Sequence, residues 1–157
     1  SYDINTNLKK ASPTLKRNLK TYLSEYRMIN DAINIKDAFI INIGIEFSIV
    51  VRPNYNNNET LTKCITALTT YFNIKNWQIN QPIILPQLSV LLDKVEGVQT
   101  VKNLKIDNLA GEALGYSEYA YDVVGATIND VVYPSIDPMV FEVKYPDTDI
   151  KGRVVPL

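Results

Sequence analysis

Asp37-Ala38-Phe39-Ile40-Ile41-Asn42-Ile43-Gly44-Ile45-Glu46-Phe47-Ser48-Ile49-Val50-Val51-Arg52 is the stretch that decides how the chain folds. Phe39, Ile41, Ile43, Ile45, Phe47, Ile49 and Val51 take every odd position, while Asn42, Glu46, Ser48 and Arg52 fall on even ones. A period of two places these sets on opposite faces of a β-strand. The apolar face must be dry, because fully burying one such side chain is worth about 1.5–3 kcal/mol. The run far exceeds the usual strand of about five or six residues, and Gly44 is the expected site of a bulge or bend. Nothing in it is chemically reactive.

Helical patterns flank this strand. Ser12-Pro13 reads as an N-cap and first helical residue, and Leu15, Leu19, Tyr22 and Leu23 follow at helical spacing with Lys16, Arg17 and Lys20 opposite. This predicts an amphipathic helix over 13–26, after a polar lead-in over 1–11 expected to be extended or poorly ordered. Its basic face suits phosphate, an acidic partner or plain solvent. Ile29, Ile33 and Ile35 suggest a short strand before the long one.

The turn formers of 53–58 reverse the chain, and Asn58 is the expected cap of a helix over 59–72 with Leu61, Cys64, Ile65, Leu68, Tyr71 and Phe72 on its stripe. Cys64 on that stripe reads as a small buried hydrophobe. Asn58-Glu59-Thr60 also fits a glycosylation acceptor, although capping accounts for it. Trp77 and Ile79 suit an extended piece. A helix ending near Val95 presents Leu88, Leu91 and Leu92, with Gly97 as a left-handed cap. A second strand over 98–107 carries Val101 and then Leu104 and Ile106 out of phase by one, as a bulge produces.

From Asn108 the character changes: glycines and prolines punctuate a segment rich in tyrosine and carboxylates. Residues 121–128 and 131–133 around Asn129-Asp130 suit a small hairpin, and 139–145 a further strand. The predicted fold is therefore α+β: long antiparallel strands with helices packed on one face, plus an extended C-terminal arm with a short hairpin. Two parts are expected, an α+β module over 1–107 and a Tyr/Pro-rich acidic arm over 108–157. Tyr133, Met139, Phe141 and Tyr145 are the expected interface anchors of that arm, because large side chains amid prolines are poorly suited to solvent.

Composition narrows the chemistry. The chain of 157 residues has one cysteine and no histidine, which removes a disulfide framework, the commonest metal ligand and the usual neutral-pH base. Asp147-Thr148-Asp149 has the spacing of a two-carboxylate cation site, with Asp122, Asp130 or Asp137 as further oxygens, but no calcium-loop pattern surrounds it. Phosphate-cradling glycine motifs are absent too. The reading is no enzyme, no cofactor and no metal, with no nucleic-acid or membrane partner; a carboxylate hydrolase using Asp147 and Asp149 ranks last. Net charge is only −1. Its distribution is uneven, basic before the long strand and acidic over 107–149, which suits contact between oppositely charged surfaces or simply solvated ones. The chain opens on Ser1, which suggests a piece of something longer.

The helix reaching Tyr22-Leu23, the Lys36-Asp37-Ala38 approach to the long strand, the Leu61 to Phe72 helix, and Leu85-Pro86-Gln87-Leu88 leading to Val95-Glu96-Gly97-Val98 resemble the C-terminal module of the phage baseplate J-like family. The run from Tyr133 to Pro146, with Asp149-Ile150-Lys151-Gly152-Arg153, looks like the C-terminal end of the baseplate wedge subunit of T-even-like myophages. That resemblance implies a structural, non-catalytic virion protein of the tail baseplate, assembled in the host cytoplasm. Its implied partners are a second copy of itself and other wedge and sheath-initiating proteins. Family subunits are much longer than this chain. The alternative is a small ferredoxin-like ligand-binding or regulatory domain.

Overall fold

A computed structural model describes residues 1–26 and 32–157. The long alternating run forms β1 (Phe39–Val51). Antiparallel to it lies β3 (Val98–Leu109), reached through α2 (Asn57–Tyr71), the short β2 (Ile83–Ile84) and α3 (Leu85–Asp93). Helix α2 packs over β1 and the late strand β7 (Ile150–Val154), and α3 packs over β3 and α2. Together they bury Cys64, Leu68, Leu88 and Leu92 against Ile43, Ile45, Phe47 and Ile49. The predicted α+β arrangement, with long antiparallel strands under helices, is the observed one.

Local details follow from local chemistry. Asn56, two residues before the expected Asn58, caps α2, since its side chain accepts from the backbone N–H groups of Asn58 and Glu59. Gly97 has a φ of +95°, the left-handed conformation expected of it. The phase break in the second strand is a bulge: Glu46 faces Lys105 and Ser48 faces Lys102, so Asn103 and Leu104 together oppose Phe47. Asn103 takes a φ of +48° there. Gly44, expected to carry the irregularity in β1, stays in register opposite Asp107. What it supplies is clearance, because a Cβ there would lie 3.2 Å from Leu109 Cδ1 and 3.3 Å from the Asp149 carbonyl oxygen.

The segment after residue 108 departs from the expected outstretched arm. It lays β6 (Met139–Glu142) and then β7 along the second edge of β1, both parallel to it, with the helical turn α4 (Pro146–Asp149) between them. Phe141 pairs with Ile41, and Gly152 pairs with Phe47. A free arm would leave that edge of β1 with unpaired amides beside a dry face; folding back satisfies them. The expected hairpin is present as β4 (Thr127–Ile128) and β5 (Val131–Val132), turned by Asn129 and Asp130, both at positive φ. It joins β2 in a second small sheet. The 107/108 boundary of the two expected parts falls inside β3.

The even face of β1 is not simply wet. Asn42 and Ser48 are both buried. Asn42 Oδ1 accepts from Ser117 N–H at 2.7 Å, and its amide donates to Glu142 Oε2 at 2.9 Å. Glu142 Oε1 in turn accepts from Leu8 N–H at 2.6 Å. These polar groups clamp the 117 loop and the lead-in onto the sheet, so the lead-in closes into a turn with Tyr2 bridging Leu8 instead of running extended.

Candidate interaction surface

Helix α1 (Pro13–Ser24) begins as predicted, with the Ser12 hydroxyl accepting from Leu15 N–H and Pro13 in the first turn. Its attachment is at that end. Lys16 pairs with Asp37 at 2.6 Å, and Asp37 also accepts from Ala11 N–H. The Lys16 ammonium, bonded to it, holds the Asp37 carboxyl below its ordinary range. Beyond this mooring no residue of α1 is buried. Leu15, Leu19, Tyr22 and Leu23 are between 38% and 58% exposed, and the Tyr22 and Tyr26 rings continue the stripe with centroids 5.4 Å apart. A helix of this length draws most of its stability from packing one face. Here the packing face is bare among the described residues.

The four expected anchors separate. Met139 and Phe141 are 2% and 1% exposed on β6, packed into the chain's own core. Tyr145 is partly exposed but tied down: its N–H donates to Asp149, its hydroxyl to the Gly115 carbonyl, and its ring meets Tyr116 edge-on at 5.6 Å. Tyr133 remains half-exposed, held through its backbone by Ala126 and the Tyr121 hydroxyl. Sequence reasoning missed Val124, Ile128 and the fully exposed Ile136, apolar side chains that the 122–137 segment presents beside Asp122, Asp130 and Asp137. Their β-branching around Asn129-Asp130 signals strands, and says nothing of which faces stay open. Ile29 lies outside the described residues; Ile33 and Ile35 form no strand.

The polar groups around Asn42 and Asp149 are committed to the fold. Asp149 is buried and accepts from the Tyr116 hydroxyl at 2.5 Å and from Tyr145 N–H, which pushes the Tyr116 phenol up to about 12. This engages one of the two carboxylates expected to flank Thr148. No group of three metal-ligating side chains converges among the described residues. Burial raises the Glu142 carboxyl, opposed by its bonds to Leu8 and Asn42, and pushes the Cys64 thiol up to about 11. A cavity of about 400 Å³ lies beside Asn42, Tyr116, Glu142 and Lys144. Each of those polar side chains already bonds to another part of the chain, Lys144 to the Gly115 carbonyl. The cavity therefore offers a ligand few unspent partners. No helix among the described residues is long and apolar enough to cross a membrane.

Two open surfaces carry exposed apolar side chains, the basic helix α1 and the acidic hairpin segment with its apolar tips. The outer edge of the sheet is a poor third, because β3 carries Lys102, Lys105 and two breaks of register, features that discourage strand addition. No protein-family model matches the chain, and no curated protein matches it.

Proposed function

We propose that this chain is a structural assembly module of a contractile-tail phage baseplate wedge, joining a second copy of itself and neighbouring wedge and sheath-initiating proteins without covalent chemistry. The observation that carries the reading is the bare stripe of α1, a helix anchored at one end and with no buried residue among the described residues. Its occupant is the 122–137 segment of a second copy. Arg17 and Lys20 meet the carboxylates of Asp122, Asp130 and Asp137 there, and Leu15, Leu19 and Tyr22 meet Val124, Ile128 and Ile136. Opposite charge and exposed apolar area complement each other, and two such contacts close a two-fold pair. The baseplate setting rests on the resemblance of residues 14–106 to the C-terminal module of the phage baseplate J-like family, and of Tyr133 to Pro146 with Asp149 to Arg153 to the end of the wedge subunit.

Light scattering tests the contact and mass photometry the setting. The chain is expected to double its mass at tens of micromolar and to bind wedge and sheath-initiating proteins of a contractile tail. The double variant Leu15→Asp, Leu19→Asp is expected to stay monomeric with unchanged circular dichroism. A wild type that remains monomeric at 100 µM and ignores those proteins overturns the reading.

A further inference from the structure

The even face of the sheet is covered at one end and open at the other. Near Asn42 it lies under the 117 loop and the lead-in. Past Gly44, two cross-strand rows stand uncovered: Lys105, Glu46 and Lys151 in one, Lys102, Ser48 and Arg153 in the next. Paired residues of adjacent strands project to the same side, so four cations flank a single strand that contributes one carboxylate. Lys105, Lys151 and Arg153, with Glu46, line an open hollow of about 460 Å³, and Lys102 lies outside that lining.

These cations are not equivalent. Lys105 is already neutralised by Glu46 at 3.1 Å and Asp107 at 3.4 Å. Lys102 donates to the Pro156 carbonyl, which leaves its charge uncompensated. Arg153 and Lys151 form no ion pair among the described residues, and both are exposed. Arg153 is also oriented: its Nε–H donates to the Oγ of the buried Ser48 at 3.0 Å, which turns the terminal nitrogens outward. A guanidinium fixed in this way loses less freedom when it takes up a carboxylate.

We infer that this open half of the sheet face, between β3 and β7, is a docking site for an acidic polypeptide segment of a partner protein. Lys151 and Arg153 stand two residues apart on one strand, about 6.6 Å. Alternate side chains of an extended segment have the same spacing, so carboxylates at every second position meet both. The flanking strands are about 9–10 Å apart, wide enough for one extended chain to lie along the hollow between them. This surface is separate from α1, and its occupancy does not depend on self-association.

The probe is a fluorescein-labelled decapeptide of alternating Glu and Ser, titrated with the full chain and followed by anisotropy at 50 mM and 300 mM salt. Saturable binding is expected at low salt and loss of most of it at high salt. Lys151→Gln and Arg153→Gln should each weaken it about two- to fivefold, within the range of exposed ion pairs, and Arg153→Lys should weaken it less than Arg153→Gln. Lys151 makes no side-chain hydrogen bond or ion pair among the described residues, so its variant stands if Arg153→Gln destabilises the sheet. Lys20→Gln in α1 should leave binding unchanged, and so should Leu15→Asp with Leu19→Asp, which separates this site from the self-association surface. Absence of saturable binding, equal loss from Lys20→Gln, or tighter binding of a ten-nucleotide oligothymidylate than of the peptide overturns the inference.

Discussion

Gly152→Ala is the most direct test of whether the late segment belongs to the same body as β1. A Cβ at Gly152 would lie 2.4 Å from Phe47 Cζ, 2.8 Å from Phe47 Cε1 and 2.7 Å from Leu61 Cδ1. Phe47 is 2% exposed among the isoleucines of β1, so its ring has little room to retreat, and Leu61 is pinned between α2 and the sheet. Overpacking of a core by a methyl group costs about 1–3 kcal/mol, while replacing glycine stabilises by about 0.4–1 kcal/mol through the unfolded chain. The net expectation is a loss of about 1–2 kcal/mol, or about 2–8 °C in melting temperature for a domain of this size. Urea unfolding measures it, and Leu61→Ala in the same chain should recover part of the loss, because it removes the clashing methyl. The loss should be the same at every protein concentration. A neutral or stabilised Gly152→Ala variant would refute the packing of β7 on Phe47; a loss that grows on dilution would mean that a second chain supplies the strand.

Other perturbations follow from single contacts. Burial raises the Glu142 carboxyl, so its contribution to stability is complete below its unfolded value of about 4.3 and declines as pH rises through the folded one. Glu142→Gln should lack that component, so urea midpoints of the two proteins should diverge as the pH falls from 7 to 4; parallel profiles would refute it. Cys64, buried with its thiol pushed up to about 11, should resist a thiol reagent at pH 8 until the chain unfolds, and rapid labelling of the native protein would contradict its placement. The Trp77 indole N–H is buried and meets no acceptor among the described residues. Trp77→Phe should therefore cost only the packing it removes, about 1–3 kcal/mol, since no hydrogen bond is lost; a loss above about 4 kcal/mol in urea would point to a partner for that nitrogen.

Much of the fold is legible because its determinants are local. The alternation of Phe39 to Val51 gives the central strand, Ser12-Pro13 gives the start of α1, and the slipped phase of Leu104 and Ile106 gives the bulge opposite Phe47. What stays hidden depends on distant pairing. Met139 and Phe141 read as interface anchors only while their strand has no known neighbour; in the structure that strand pairs in parallel with Phe39, Ile40 and Ile41, and both side chains are buried. The candidate surfaces are hidden for the same reason. A helical stripe looks alike whether or not something covers it, and Lys102, Lys105, Lys151 and Arg153 become neighbours only once β3 and β7 flank β1.

Both β6 and β7 occupy one edge of β1, and Ile45 meets Ile150 across an interval of 105 residues. At a translation rate of about 5–20 residues per second, that edge waits about 5–20 s on the ribosome before its closing strand has been made. Loop closure over such a span is slow in free solution as well. The nascent domain therefore passes through a long-lived form with one flank of its isoleucine-rich strand unzipped, and holding chaperones should bind that form when translation is paused before residue 139.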